Sequence, residues 1–299
     1  MKPITLVLSG GGAKCAAQAG VLEVLREAGV SVGAATGISA GGLVAVLVGL
    51  GFSPAAISTA IVETSLLDVW EMDPARRALF GAGKIRARIQ ALVGDRTFAD
   101  LILPVILVAV DLRSGREVLL SSGPLVEAVM ATMAIPGLFV PVERGDQLLV
   151  DGGVLNPMPL DVARQLGPRV VAIDVLADRP ILAAHPQLFE TRGPLRYATE
   201  VGRRLGLLDM LELVHQAGNL LTHRLIERGL ALYPPDVLIQ PAVGHVGLFA
   251  FDLAPEAYRL GQAAGRAALP QVLKLARSAR WRARLADRLR KLARLRRSR

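Results

Sequence analysis

Cysteine, histidine and aromatic residues are all scarce in this chain, and each scarcity removes a class of function. Cys15 is the only cysteine, so no internal disulfide can form and a reducing compartment is expected. The four histidines, His185, His215, His223 and His245, are scattered and show no clustered metal-ligand spacing, so neither a metal nor another cofactor is expected. Long apolar runs are missing too. The longest, Gly42 to Phe52, falls well short of the roughly 20 residues a bilayer span needs. No internal repeat or low-complexity segment precedes the C-terminal tail.

The main body also lacks a basic surplus. The net charge is +9, but Lys274 to Arg299 holds twelve Lys and Arg against the single acid Asp287, leaving the preceding residues at −2. A basic nucleic-acid-binding face on the body is thereby excluded, and no specific nucleic-acid partner is expected. What remains is aliphatic: 52% of residues are hydrophobic and only 4% aromatic, which suits an α/β domain whose strands are covered on both faces. The N-terminal run Ile4–Leu8 leads straight into glycines and reads as strand and loop, not as a signal peptide. Together with the lone cysteine this gives a cytoplasmic expectation.

Two glycine-bearing segments carry the chemistry. Gly37-Ile38-Ser39-Ala40-Gly41 reads G-x-S-x-G, a serine on a strained strand-to-helix turn with its hydroxyl exposed to substrate. Side chains at 37 and 41 would crowd that turn. Upstream, Leu8-Ser9-Gly10-Gly11-Gly12-Ala13-Lys14 is a loop of bare amides before a helix, suited to a negative charge. It lacks the Gly-Lys-Ser/Thr ending of a Walker A loop, and Cys15 stands where a dinucleotide fingerprint requires glycine. The reading that also uses Ser39 is an oxyanion hole formed by Gly10, Gly11 and Gly12. Lys14 is given no catalytic role.

Strand-like runs at 4–8, 33–36, 103–110, 118–120, 147–150, 169–175 and 237–240 alternate with helical patterns at 15–28, 41–50, 53–65, 73–97 (polar, with Gly81 and Gly83 as breaks) and 124–133. That rhythm argues a mostly parallel, doubly covered sheet. Residues 186–232 break it with one Leu-rich helical stretch, read as a cap on the sheet. The expected organisation is a hydrolase domain over 1–273, with the cap inside it, and a tail over 274–299. In the tail Trp281, Leu285, Leu289, Leu292 and Leu295 form a stripe among Arg and Lys, the pattern of a helix lying on an anionic membrane.

A serine needs a base. Asp151 ends a strand-like run immediately before Gly152-Gly153, where a carboxylate can reach a neighbouring loop. The bland alternative is an ordinary Asp-Gly turn. His245, in a loop after the last strand-like run, is the rival base, and a non-catalytic membrane-associated or regulatory protein of the same fold is the rival outside enzymology.

Four blocks in order, Gly10–Lys14, Gly37–Gly41, Ala131-Thr132-Met133-Ala134-Ile135-Pro136-Gly137-Leu138-Phe139 and Asp151-Gly152-Gly153, resemble those of patatin-like phospholipases. The likeness is to the bacterial and neuropathy-target-esterase-type branch and covers roughly residues 4 to 270. It implies a three-layer α/β/α fold and a Ser–Asp dyad without histidine. Ser39 would be the nucleophile, Asp151 the base, and the amides of Gly10–Gly12 the oxyanion donors. Phospholipid or lysophospholipid would be the substrate. The chain departs from the family's usual pattern at Cys15, where glycine is the rule.

Overall fold

The computed structural model describes residues 1–64, 71, 78–177 and 207–278. One mixed eight-stranded sheet organises them. Its parallel part is β3 (Val105–Asp111), β2 (Val32–Gly37), β1 (Ile4–Leu8), β7 (Val170–Ile173) and β8 (Val237–Ile239), side by side in that order. Residues buried on both faces, all five in β1 and all four in β7, explain why these strands read as unbroken apolar runs. β4 (Arg116–Leu120), β5 (Val142–Arg144) and β6 (Gln147–Asp151) join antiparallel.

The register around β3 decides where the chemistry sits. Leu107 pairs with both Gly37 of β2 and Leu120 of β4, and Ala109 pairs with both Val118 of β4 and Asp151 of β6. A strand has two edges, so β2 and β6 share one edge of β3 and β4 takes the other. β2 therefore stops just where β6 arrives, two residues further along β3, or about 7 Å. The end of one strand faces the end of the other.

Helices cover both faces. α1 (Ala16–Glu27), α2 (Ser39–Gly49), α3 (Pro54–Val62), α4 (Gly83–Val93) and α5 (Leu125–Met133) are joined later by α6 (Leu160–Leu166), α7 (Leu207–Leu232) and α8 (Ala254–Arg277). Ser53 caps α3 by accepting the Ala56 amide, with Pro54 in the first turn, as the sequence suggests. Of the helical stretch expected over 73–97, with breaks at Gly81 and Gly83, the described part is shorter at its C-terminal end. Within the described part the helix begins at Gly83 and ends where Gly94 turns to φ +64°, after which Thr97 starts a separate 3-10 turn. β5, α6 and α8 have no counterpart in the sequence reading. α8 runs past residue 273 to Arg277, with Ala276 buried, so the body reaches that far. The tail stripe from Trp281 to Leu295 and the first part of the 186–232 cap lie outside the described residues.

Candidate active site

Ser39 opens α2 at φ +53°, the only non-glycine residue with positive φ among those described. That strained turn is held by its neighbours. A Cβ on Gly41 would lie 2.2 Å from the Ser9 carbonyl oxygen, and one on Gly37 would lie 2.6 Å from that of Gly41. Only glycine fits either place. The Ser39 amide donates to Thr132 Oγ1 at 3.1 Å, and the Thr132 hydroxyl donates to the Val108 carbonyl at 2.6 Å. Val108 lies on β3 between the residues that pair with Gly37 and with Asp151. Thr132 thus ties the serine turn to the strand shared by both partners.

Asp151, at the end of β6, is 4% exposed, with the Ser39 hydroxyl close enough to favour its charged form. Its Oδ1 also accepts the Gly153 amide at 2.8 Å. Burial raises its pKa from 3.8 to about 6, against the opposing pull of those two groups. Gly152 permits this placement, because a Cβ there would lie 2.3 Å from the Val108 carbonyl oxygen.

The glycine loop packs directly beside the serine. A Cβ on Gly10 would meet Ser39 Cβ at 3.0 Å and the Ile38 side chain at 2.7 Å. Gly12 sits at φ +56° with its missing Cβ aimed at the Leu248 carbonyl. The amides of Gly10, Gly11 and Gly12 donate to no protein acceptor among the described residues, whereas Ala13 donates to Leu248 O and Lys14 to Gly11 O. Three amides without a protein acceptor beside the Ser39 hydroxyl are preorganised for an anion. The loop is pinned from behind: Ser9 Oγ accepts the Val175 amide at 3.0 Å, and Gln18 Nε2 donates to Ser9 O at 2.8 Å.

An apolar trough of about 810 Å³, its open mouth included, leads away from Ser39. Leu43, Val44 and Leu47 of α2 form one wall, and Ile85, Ile89 and Leu92 of α4 another. The scarce aromatics gather here. Phe80, Phe139, Phe249 and Phe251 make a chain of ring contacts with centroids 5.5–6.5 Å apart, and the last three line the trough.

The rival groups lie elsewhere. His245 is half exposed and its Nε2 lies 3.0 Å from Glu256, while His223 meets Glu227 at 3.2 Å; neither touches Ser39 or Asp151. His185 and the side chain of His215 lie outside the described residues. Cys15 is fully buried, and burial pushes its thiol far above the ordinary range, so it packs and does not attack. Among the described residues no group of His, Cys, Asp and Glu is arranged to hold a metal ion. The sequence reading passed over Thr132, Ser9 and Gln18. Gln18 left a signal, a polar residue among the apolar positions of α1.

The patatin-like phospholipase family model matches residues 6–164, more than half the chain, and the chain belongs to that family. An uncharacterized NTE family protein of Mycobacterium tuberculosis is 29% identical over 276 residues, covering 90% of this chain and 46% of that protein. Patatin-like phospholipase domain-containing protein 7 of Rattus norvegicus is 32% identical over 185 residues, 58% of this chain and 13% of that one. The chain thus spans less than half the length of either relative. Among solved structures, VipD from Legionella pneumophila superposes with a TM-score of 0.51 at 16% identity, covering 92% of this chain and 67% of that one, a likeness of fold. The fold expected from sequence, α/β with a mostly parallel sheet, is the fold observed.

Proposed function

We propose that this chain is a serine lipid acyl hydrolase of phospholipase or lysophospholipase type, working through a Ser39–Asp151 dyad and an acyl-enzyme. The carrying observation is the Ser39 hydroxyl set close to a buried carboxylate, beside three loop amides without a protein acceptor among the described residues and an apolar trough. Asp151 accepts the hydroxyl proton as Oγ attacks the ester carbonyl. The amides of Gly10–Gly12 receive the oxyanion, and Asp151 returns the proton to the departing alcohol. Water then gives a proton to Asp151 and attacks the acyl-serine; the fatty acid leaves and Ser39 recovers its proton. Removing one oxyanion donor in such a site costs on the order of 3 kcal/mol of transition-state stabilisation.

The aliphatic walls support a fatty acyl group as the part held in the trough. The basic 274–299 stretch supports work at the cytoplasmic face of an anionic membrane, with each cation near the surface worth about 1 kcal/mol. The test is labelling by a fluorophosphonate probe together with hydrolysis of a short-chain aryl ester. Wild type reacts in both, Ser39→Ala in neither, and His245→Ala behaves as wild type. An Asp151→Asn variant of undiminished activity overturns the dyad.

A further inference from the structure

The helix α7 carries two apolar faces where a surface helix ordinarily has one. Near its C-terminal end Ile226 is 4% exposed and Leu230 packs with it against Leu160 and Met158 on the body. Further toward the N-terminus, Leu213, Leu220 and Leu221 are 67%, 53% and 68% exposed, with Ala217 also open between them. Their spacing, i, i+4, i+7, i+8, puts them on one stripe. Isolated exposed leucines need no explanation, but an ordered stripe does.

Two further observations say what covers it. The stripe continues into Arg224 and Arg228, both exposed, with Arg224 ion-paired to Glu227 at 2.9 Å. Leucines followed by arginines along one helix face match an acyl layer beneath anionic headgroups. The helix also packs on the 3-10 turn Gly152–Val154, which follows Asp151 directly, and there Val154 and the adjoining Leu155 stand open as well. α7 thus reaches the turn that follows Asp151, where Val154 and Leu155 add exposed apolar surface.

We propose that α7 is a bilayer-docking surface, seating Leu213, Leu220 and Leu221 in the interface of an anionic membrane with Val154 and Leu155 beside them. This surface is separate from the 274–299 tail and brings the dyad to the lipid. It rests on the acyl-hydrolase reading for its purpose, but its binding is measurable without catalysis.

The experiment uses the full chain and extruded vesicles of phosphatidylglycerol and phosphatidylcholine in equal parts, with co-sedimentation as the readout. The double variant Leu220→Glu/Leu221→Glu is expected to bind at least tenfold more weakly and to lose vesicle-lipid hydrolysis in proportion. Its turnover of soluble p-nitrophenyl butyrate should stay at the wild-type level, which also reports an intact fold. Arg224→Gln/Arg228→Gln is expected to lower binding several-fold on these vesicles and to leave it unchanged on pure phosphatidylcholine. Undiminished vesicle binding by the double Glu variant, or a wild type that binds no vesicles, overturns the proposal. So does sedimentation velocity showing a wild-type dimer that the double variant dissolves, which assigns the face to a second copy. A wild type that sediments with vesicles yet hydrolyses no ester refutes the acyl-hydrolase reading alone.

Discussion

Two carbonyl-lined contacts and one threonine decide how the candidate dyad is held. Asp151 sits where its charge is least welcome, with its pKa raised to about 6. A base must be ionised, so kcat/KM for an aryl ester should fall tenfold per unit as pH drops below about 6, and Asp151→Asn should lower activity by 10²–10⁴. Stability runs the other way. A carboxyl whose folded pKa lies above its unfolded value favours the fold fully below pH 3.8 and loses that contribution as pH rises through about 6. At pH 7 burial of the charge therefore costs up to about 3 kcal/mol. Asp151→Asn should raise the denaturant midpoint at pH 7, with no gain at pH 3.5. Thr132 supplies a second prediction. Thr132→Val orphans the Ser39 amide and the Val108 carbonyl, so stability should fall by about 1–3 kcal/mol and kcat by tenfold or more, and Thr132→Ser should restore both. Ser39 and the glycines were legible from spacing alone. Thr132 was not, because within α5 it reads as one more helical residue and only the β3 register shows what it faces.

Among the elements, α2 serves both as the support of Ser39 and as a wall of the trough. From Ser39 to Leu47 is eight residues, about 12 Å of helix. An extended chain advances about 1.2 Å per bond, so the wall is about ten bonds long. Hydrolysis of p-nitrophenyl esters should therefore rise from butyrate to about decanoate, by at most about fourfold per methylene at 0.8 kcal/mol each, and level off beyond. Leu43→Trp should abolish that rise and spare butyrate. A flat series in wild type would show that the trough does not hold the acyl chain. The buried strands were read correctly because their apolar runs are unambiguous, and α2 because the elbow precedes it. β5 escaped notice because three residues carry no period. The 73–97 reading overran at its C-terminal end because it ran through Gly94, whose φ of +64° ends the helix after the buried stripe Ile85, Ile89 and Val93. Asp151 stayed open beside His245 because nothing local distinguishes a strand-end base from a turn. Pairing of β2 and β6 on one edge of β3 is a fact of tertiary structure.

At the scale of the molecule, the C-terminal part of the body closes the fold and braces the loop that would bind the oxyanion. The Ala13 amide is held by Leu248 O at 3.0 Å, and five residues after Leu253 begins the close crossing of α8 over α1. A Cβ on Gly20 would lie 2.0 Å from Tyr258 O, and one on Gly261 would lie 2.0 Å from Ala17 O. The two backbones touch at both points, and Gly265 continues the contact one turn on, against Val21. α8 carries a clear apolar face, and the sequence reading left that pattern unassigned. Further along, the Lys2 amide donates to Ala276 O and joins the chain's first residues to the end of the same helix. Gly261→Ala must push α8 away from α1, because the obstacle is backbone and cannot rotate aside. Overpacking of this kind costs about 1–3 kcal/mol, so the thermal midpoint should fall by several degrees. Because α8 follows directly from the segment that meets Gly12 and Ala13, fluorophosphonate labelling of Ser39 should slow at temperatures where the variant is still folded. A midpoint unchanged within one degree would mean that the helices are not in the contact described.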